Sequence, residues 1–147
     1  MNKEIIESIA DRIAAEVTGL KWIDLDCGQL DGLDGRPPVA FPCCLLDIAY
    51  PLCEDVGGTI QNVTCQVSIR IAFTFTGATS YAAGQIRTGS LAIFDLIGEV
   101  HTALQDWSTD QLGKFSRVSV IPEKRRDGLK VFRLIYQTVF EEDTAEE

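Results

Sequence analysis

Residues 61–76, QNVTCQVSIRIAFTFT, alternate between apolar and mostly polar side chains. The odd positions from Val63 to Phe75 are apolar, and all but one of the even positions from Asn62 to Thr74 are polar. Side chains of a strand point alternately to opposite faces, so the segment is predicted to be one strand with a buried face and a wet face. At about 3.3 Å per residue it would be roughly 45–50 Å long, which predicts a strand that extends beyond its sheet.

The other periodic segments predict two helices and four more strands. Apolar residues on one face predict a helix over residues 3–17 and a second from about 88 or 90 to 106. Strands are predicted at residues 20–25, 39–49, 115–121 and 129–141. The element order α–β–β–β–α–β–β predicts an α+β fold, with a mainly antiparallel sheet of about four or five strands covered by two helices.

Glycine and proline mark the connections between these elements. Gly57 and Gly58 predict a tight reversal into the long strand, which makes a long projecting β-hairpin with the strand before it. Asp127-Gly128 predicts a second turn, and residues 26–38 and 77–89 are predicted loops. We expect one domain over residues 1–141 and a disordered acidic tail over residues 142–147.

Composition favours an ordinary soluble domain. The chain has 147 residues, of which 46% are hydrophobic and 24% charged, and no apolar run reaches the roughly 20 residues of a membrane helix. The N-terminus lacks the unbroken apolar stretch of a signal peptide, so we expect no export by that route and no membrane partner. A net charge of −9 argues against contacts to nucleic-acid phosphates and predicts no sequence-specific nucleic-acid binding.

No residue pattern predicts catalysis, a cofactor or a metal site. The five cysteines form no CxxC pair and are predicted to be reduced thiols, because a zinc site would have only His101 as a further ligand: Cys27, Cys43, Cys44, Cys53 and Cys65. The carboxylates of Asp26, Asp31 and Asp34 do not have calcium-loop spacing. Asp47 and His101 have no catalytic partner at motif spacing, and structural roles are favoured for both.

Two clusters of charged residues could have either a functional or a purely structural role. Asp24 and Asp26 form the one DxD pair, which could share a divalent metal in an enzyme if a third ligand were supplied by the fold. Lys124, Arg125 and Arg126 form the one basic cluster of an acidic chain. At the tip of a hairpin this cluster could meet nucleic acid or an acidic partner, although a solvated turn is the more ordinary interpretation.

The chain resembles the tail terminator, or tail completion, proteins of long-tailed bacteriophages and prophages. The resemblance rests on the element order, the length and the over-long strand pair before the second helix, and covers roughly residues 5–140. The strings LKWIDLDCGQLDGLDGRPPVAFPCCLLDI and DLIGEVHTALQDW are also similar to small tail or neck proteins of Bacteroides-type prophages. The resemblance implies a ring, commonly a hexamer, that caps the tail tube and joins it to the head connector without catalysis. It implies assembly in the bacterial cytoplasm and a final place in the virion.

These expectations single out an oligomer interface. A strand that outruns its sheet needs a neighbour to cover its apolar residues, so Val63, Cys65 and Val67 are predicted to contact the next subunit. The basic cluster Lys124, Arg125 and Arg126 is predicted to contact another subunit or the tail tube. Three alternatives stay open: a neck or stopper protein, an α+β dimer that binds a small ligand, and the metal-dependent enzyme.

Overall fold

The protein is an α+β fold in a computed structural model that describes residues 2–32, 37–74 and 91–146. The helices are α1, Asn2–Glu16, and α2, Ile93–Leu104. The strands are β1, Trp22–Leu25; β2, Cys43–Gly57; β3, Ile60–Thr74; β4, Ser116–Glu123; and β5, Leu129–Asp143. Asp34 and the predicted loop at 77–89 lie outside the described residues.

The five strands form one mixed sheet in the order β1-β2-β3-β5-β4. Three neighbouring pairs are antiparallel, whereas β1 runs parallel to β2 from Trp22 opposite Cys43 to Leu25 opposite Leu46. Parallel neighbours need a long crossover. The crossover here is the glycine-rich and proline-rich segment 26–42, of which the sequence predicts residues 26–38 as a loop and residues 39–42 as the start of the second strand.

Both helices pack on one face of the sheet. Ile5, Ile9 and Ile13 of α1, and Val17 just after it, are buried together with one face of α2 and the odd-numbered residues 63–71 of β3. Alternate residues of β5 complete this main core with Phe132, Leu134, Tyr136 and Phe140, as the alternation in the sequence predicts.

The crossover covers part of the opposite face. Leu30 and Val39 from the crossover pack on Cys43 and Leu45 of β2, and on Ala72 of β3, in a second, smaller core. Residues 43–46 are therefore buried on both faces, as their unbroken apolar run predicts. The remainder of this face carries no helix among the described residues.

The long strand does not outrun its sheet, so that prediction is wrong. β3 pairs with β5 over its whole length, from Ile60 opposite Asp143 to Thr74 opposite Leu129. β2 is also longer than predicted, because residues 50–57 continue the strand. The register shift between Ala49 and Leu52 accommodates Pro51, which cannot donate a ladder hydrogen bond.

The predicted tail does not begin at residue 142, because the sheet extends to Asp143. Glu142 and Asp143 end β5, and Thr144–Glu146 form a 3-10 turn. Thr59 in the β2–β3 turn donates its hydroxyl to Asp143 at 2.5 Å and accepts a backbone hydrogen bond from Thr144 at 3.2 Å. The three long strands therefore end together.

A close backbone approach at Gly113 tests the packing of the segment between α2 and β4. Gly113 donates to the Val139 carbonyl at 2.8 Å, and a Cβ at Gly113 would lie 2.9 Å from that oxygen. We expect Gly113→Ala to lower the free energy of unfolding by about 1–3 kcal/mol in urea denaturation.

Gly98→Ala is the matched control for this prediction. Gly98 lies within α2, and a Cβ added there would meet no other element within 4 Å, so alanine should raise the free energy of unfolding by about 0.5–1 kcal/mol. Equal effects of the two substitutions would contradict the described contact between Gly113 and β5.

Candidate functional site

Arg70 is a buried cation in the middle of the sheet. It lies on β3 opposite Leu45 and Arg133, on the face that the crossover covers, and is 2% exposed. Its guanidinium donates to both carboxylate oxygens of Glu123, at 2.8 and 2.7 Å, and to both of Asp31, at 3.0 and 3.1 Å. Asp26 accepts a further, longer hydrogen bond at 3.4 Å. The planar fork of arginine suits such paired contacts.

These carboxylates offset the unfavourable burial of the Arg70 charge. Burial alone would lower the pKa of Arg70, but the hydrogen bonds that it donates to Glu123 and Asp31 outweigh burial and raise that pKa. The hydrogen bond from Arg70 also lowers the pKa of Asp31. The ion pairs of Arg70 therefore link β3, the crossover and the end of β4.

Arg125 extends this network of ion pairs into the β4–β5 turn. Its guanidinium donates to the carbonyl of Leu30 and to Asp127 at 2.6 Å, and it lies 3.5 Å from Asp31. We call the whole group the Arg70 cluster: Arg70, Arg125, Asp26, Asp31, Glu123 and Asp127. The cluster fixes the conformation of residues 123–128 against the crossover.

The cluster separates the members of the predicted basic patch. Arg125 points inward, with 14% of its side chain exposed, whereas Lys124 and Arg126 are exposed on either side of it. Lys124 and Arg126 make no ion pair with another described residue. The three charges therefore do not form the single cationic tip that their adjacency suggests.

Lys124 and Arg126 border a cavity of about 450 Å³. The cavity lies between the beginning of α2 and the β4–β5 hairpin, and Lys130 adds a third cation to its rim. Its apolar lining includes Leu91 and Phe94, and the Phe94 ring meets Phe132 edge-on at 5.3 Å between centroids. We call this feature the cationic cavity.

The opposite end of the sheet is acidic. Five carboxylates lie near the β2–β3 turn and the end of β5: Glu54, Asp55, Glu141, Glu142 and Asp143. Residues 43–69 and 134–147 contain no lysine or arginine. Leu52, Val56 and Val139 at this end are 50%, 56% and 48% exposed. We call this feature the acidic end.

Val63, Cys65 and Val67, the predicted interface residues, are fully buried within the chain. Their side chains pack in the main core beneath the helices, because these odd positions of β3 point to the helix-covered face. They therefore have no exposed surface to offer another subunit.

The structure gives the predicted DxD pair and His101 structural surroundings. Asp24 accepts a hydrogen bond from the Leu25 backbone at 2.8 Å, while Asp26 joins the Arg70 cluster. His101 lies 3.0 Å from the Tyr136 hydroxyl, and burial lowers its pKa. In the described ranges, no group of three or more His, Cys, Asp or Glu residues is placed to hold a metal ion.

The cysteines are free thiols, and three of them are buried. Burial raises the pKa of Cys43 and of Cys65 to about 11, and it raises the pKa of Cys44 as well. These three thiols therefore stay protonated at neutral pH, whereas a nucleophile or a metal ligand would have to be a thiolate. Cys27 and Cys53 are exposed.

Sequence reasoning missed the importance of Arg70. Its even position in β3 assigned it to the wet face, and the crossover that buries it became visible only with β1 parallel to β2. A weak signal was present, because the adjacent even position holds Ala72 where a wet face would favour a polar residue.

Nineteen chains of solved structures are similar to this protein. No family model matches the chain, and no curated protein does. A chain of the "Virion of native gene transfer agent (GTA) particle" aligns with 93% of this chain and 92% of its own length, with a TM-score of 0.46 and 12% identity. No helix in the described part of this protein is long and apolar enough to cross a membrane.

Removal of the Arg70 guanidinium should destabilise the fold. In Arg70→Met the carboxylates of Asp31 and Glu123 lose their buried partner, and we expect the free energy of unfolding to fall by about 2–4 kcal/mol. Urea denaturation measures this loss. Arg133→Met is the matched control, because Arg133 is 44% exposed and lies 3.9 Å from Glu123, and it should change stability by less than about 1 kcal/mol.

The contribution of Asp31 should disappear in acid. Because its folded pKa is lowered from 3.8, its stabilising effect is present above that value and is lost as the pH falls through the folded pKa. Asp31→Asn should be less stable than the wild type at neutral pH, by up to about 1 kcal/mol given the exposure of the carboxylate. Thermal melts at a series of pH values should show this difference shrink as the pH falls below 3.8. A constant difference across this range would contradict the assignment.

Proposed function

We propose that the protein is a structural subunit of a bacteriophage-type particle and forms a homo-oligomeric ring at the junction of tail and head, as a tail terminator. The observation that carries the proposal is the half-exposed apolar surface at the acidic end, formed by Leu52, Val56 and Val139. The resemblance of the sequence to tail terminator proteins supports the position within the particle.

The outer edge of β2 supports a role in assembly. β1 pairs only with residues 43–46, so among the described strands none pairs with the outer side of residues 47–57. Edges of this kind attract other chains, and natural proteins protect them with bulges, proline and charge. Pro51, the adjacent register shift, Glu54 and Asp55 give that protection here. Such an edge disfavours the addition of a strand from another chain. Subunits would therefore assemble through specific side-chain contacts.

The charge of the subunit agrees with a position around passing DNA. At a net charge of −9, acidic surfaces that faced a channel would repel phosphates and reduce adhesion of DNA to the ring. A neck or stopper ring would have the same requirement and differs only in its place along the particle.

The ring should be visible with the purified protein. We expect light scattering to show a discrete oligomer at micromolar concentration, and electron microscopy to show annular particles. Leu52→Lys with Val56→Lys should abolish them, because the substitutions place charge on the exposed apolar surface. Leu25→Lys, at a residue that is 47% exposed on β1, is the matched control and should assemble normally.

A monomer under all these conditions would contradict a ring that is stable alone. The position in the particle has a separate test. In cells that produce the particle, deletion of the gene should leave heads and tails unjoined. Joined particles of normal tail length would overturn the terminator assignment.

A further inference from the structure

The acidic end and the cationic cavity have opposite charge and share an apolar component. The acidic end combines five carboxylates with Leu52, Val56 and Val139, and its strands carry no lysine or arginine there. The cationic cavity combines Lys124, Arg126 and Lys130 with an apolar lining of Leu91, Phe94 and Phe132. Each surface thus offers what the other lacks. Charged groups around an apolar contact are typical of specific protein interfaces.

The two surfaces cannot meet within one chain. Thr74 pairs with Leu129 at one end of the long strands, beside the cationic cavity, and Ile60 pairs with Asp143 at the acidic end. These pairs lie at the two ends of the 15-residue strand β3, whose length is about 50 Å at roughly 3.3 Å per residue. The paired strands hold that separation, so only a second molecule can bring the surfaces together.

We propose that the acidic end of one copy binds in the cationic cavity of the next copy. The tip of the β2–β3 hairpin inserts Val56 and Leu52 toward the Phe94 side of the cavity, while Glu54 and Glu141 pair with Lys124 and Arg126. This contact deepens the proposed function, because it names the two surfaces that join neighbouring ring subunits. The surfaces differ, so the contact is heterologous and repeats from copy to copy until the ring closes.

The neighbouring copy fits the cavity better than a small anion does. A free anion would use the cations and leave the apolar lining in water, whereas the hairpin covers both. Phe94, which lines the cavity, is 52% exposed and offers apolar surface that the hairpin can cover. The conformation of the rim is set in advance by Arg125 in the Arg70 cluster, which reduces the ordering cost of the contact.

Charge reversal with exchange of the two surfaces tests the proposal. One variant carries Glu54→Lys and Glu141→Lys, and the other carries Lys124→Glu and Arg126→Glu. Each alone should raise the dissociation constant of the oligomer more than about tenfold, because like charges then face each other. An equimolar mixture of the two, and a single chain with all four substitutions, should recover assembly, since opposite charges face each other again.

Matched controls separate this contact from general repulsion. Asp11→Lys with Glu99→Lys, and Lys3→Glu with Lys21→Glu, change the net charge by the same amounts at exposed positions on the helices and before β1. These controls should assemble like the wild type, and thermal melts should show all variants folded. Wild-type assembly should also weaken as the salt concentration rises from about 50 to about 500 mM.

The outcomes distinguish this inference from the proposed function. If the wild type and both charge-reversed variants all form rings, the contact between the acidic end and the cationic cavity is overturned. The proposed ring itself is then still supported. Loss of assembly in the single-surface variants without recovery in the mixture would also overturn it. A wild type that stays monomeric under every condition would overturn the contact and the self-assembling ring together.

Discussion

The fold depends on a charge that the sheet cannot bury alone. Arg70 occupies a central strand, and its guanidinium needs the carboxylates of Asp31 and Glu123 to remain there. Those two residues come from the crossover and from the end of β4, so the requirement of one side chain joins three segments that are distant in sequence. The crossover that precedes β2, the second core and the β4–β5 turn all lie beside this arrangement.

The same arrangement determines which cations are available to a partner. Arg125 donates its hydrogen bonds to Leu30 and Asp127, whereas its neighbours Lys124 and Arg126 are exposed at the cavity. A run of three basic residues thus divides into one structural residue and two surface residues. Their roles differ because the turn must point alternate side chains in different directions, and only the inward one meets carboxylates.

The sequence was most informative where periodicity alone determines structure. Alternation predicted β3 and the facing of β5, and the four-residue spacing of Ile5, Ile9 and Ile13 predicted α1. It was least informative for pairing, because nothing in residues 22–25 signals a parallel partner. Strand pairing, and the segments that cover each face of the sheet, determine which residues are buried. They account for the burial of Val63, Cys65 and Val67 on one face and of Arg70 on the other. The predicted interface residues therefore lie on the face of β3 that the helices cover, and not at the surface.

Long paired strands give this protein a property that a short-stranded sheet would not have. They place carboxylates and cations about 50 Å apart on a body whose length is fixed by backbone hydrogen bonds. A surface pair so separated can act only between molecules, and because its members differ, it favours a directional contact over a two-fold one. The angle between the two surfaces then determines how many copies close a ring. In the proposed ring, the Arg70 cluster stabilises one of these surfaces and the Thr59–Asp143 contact stabilises the other.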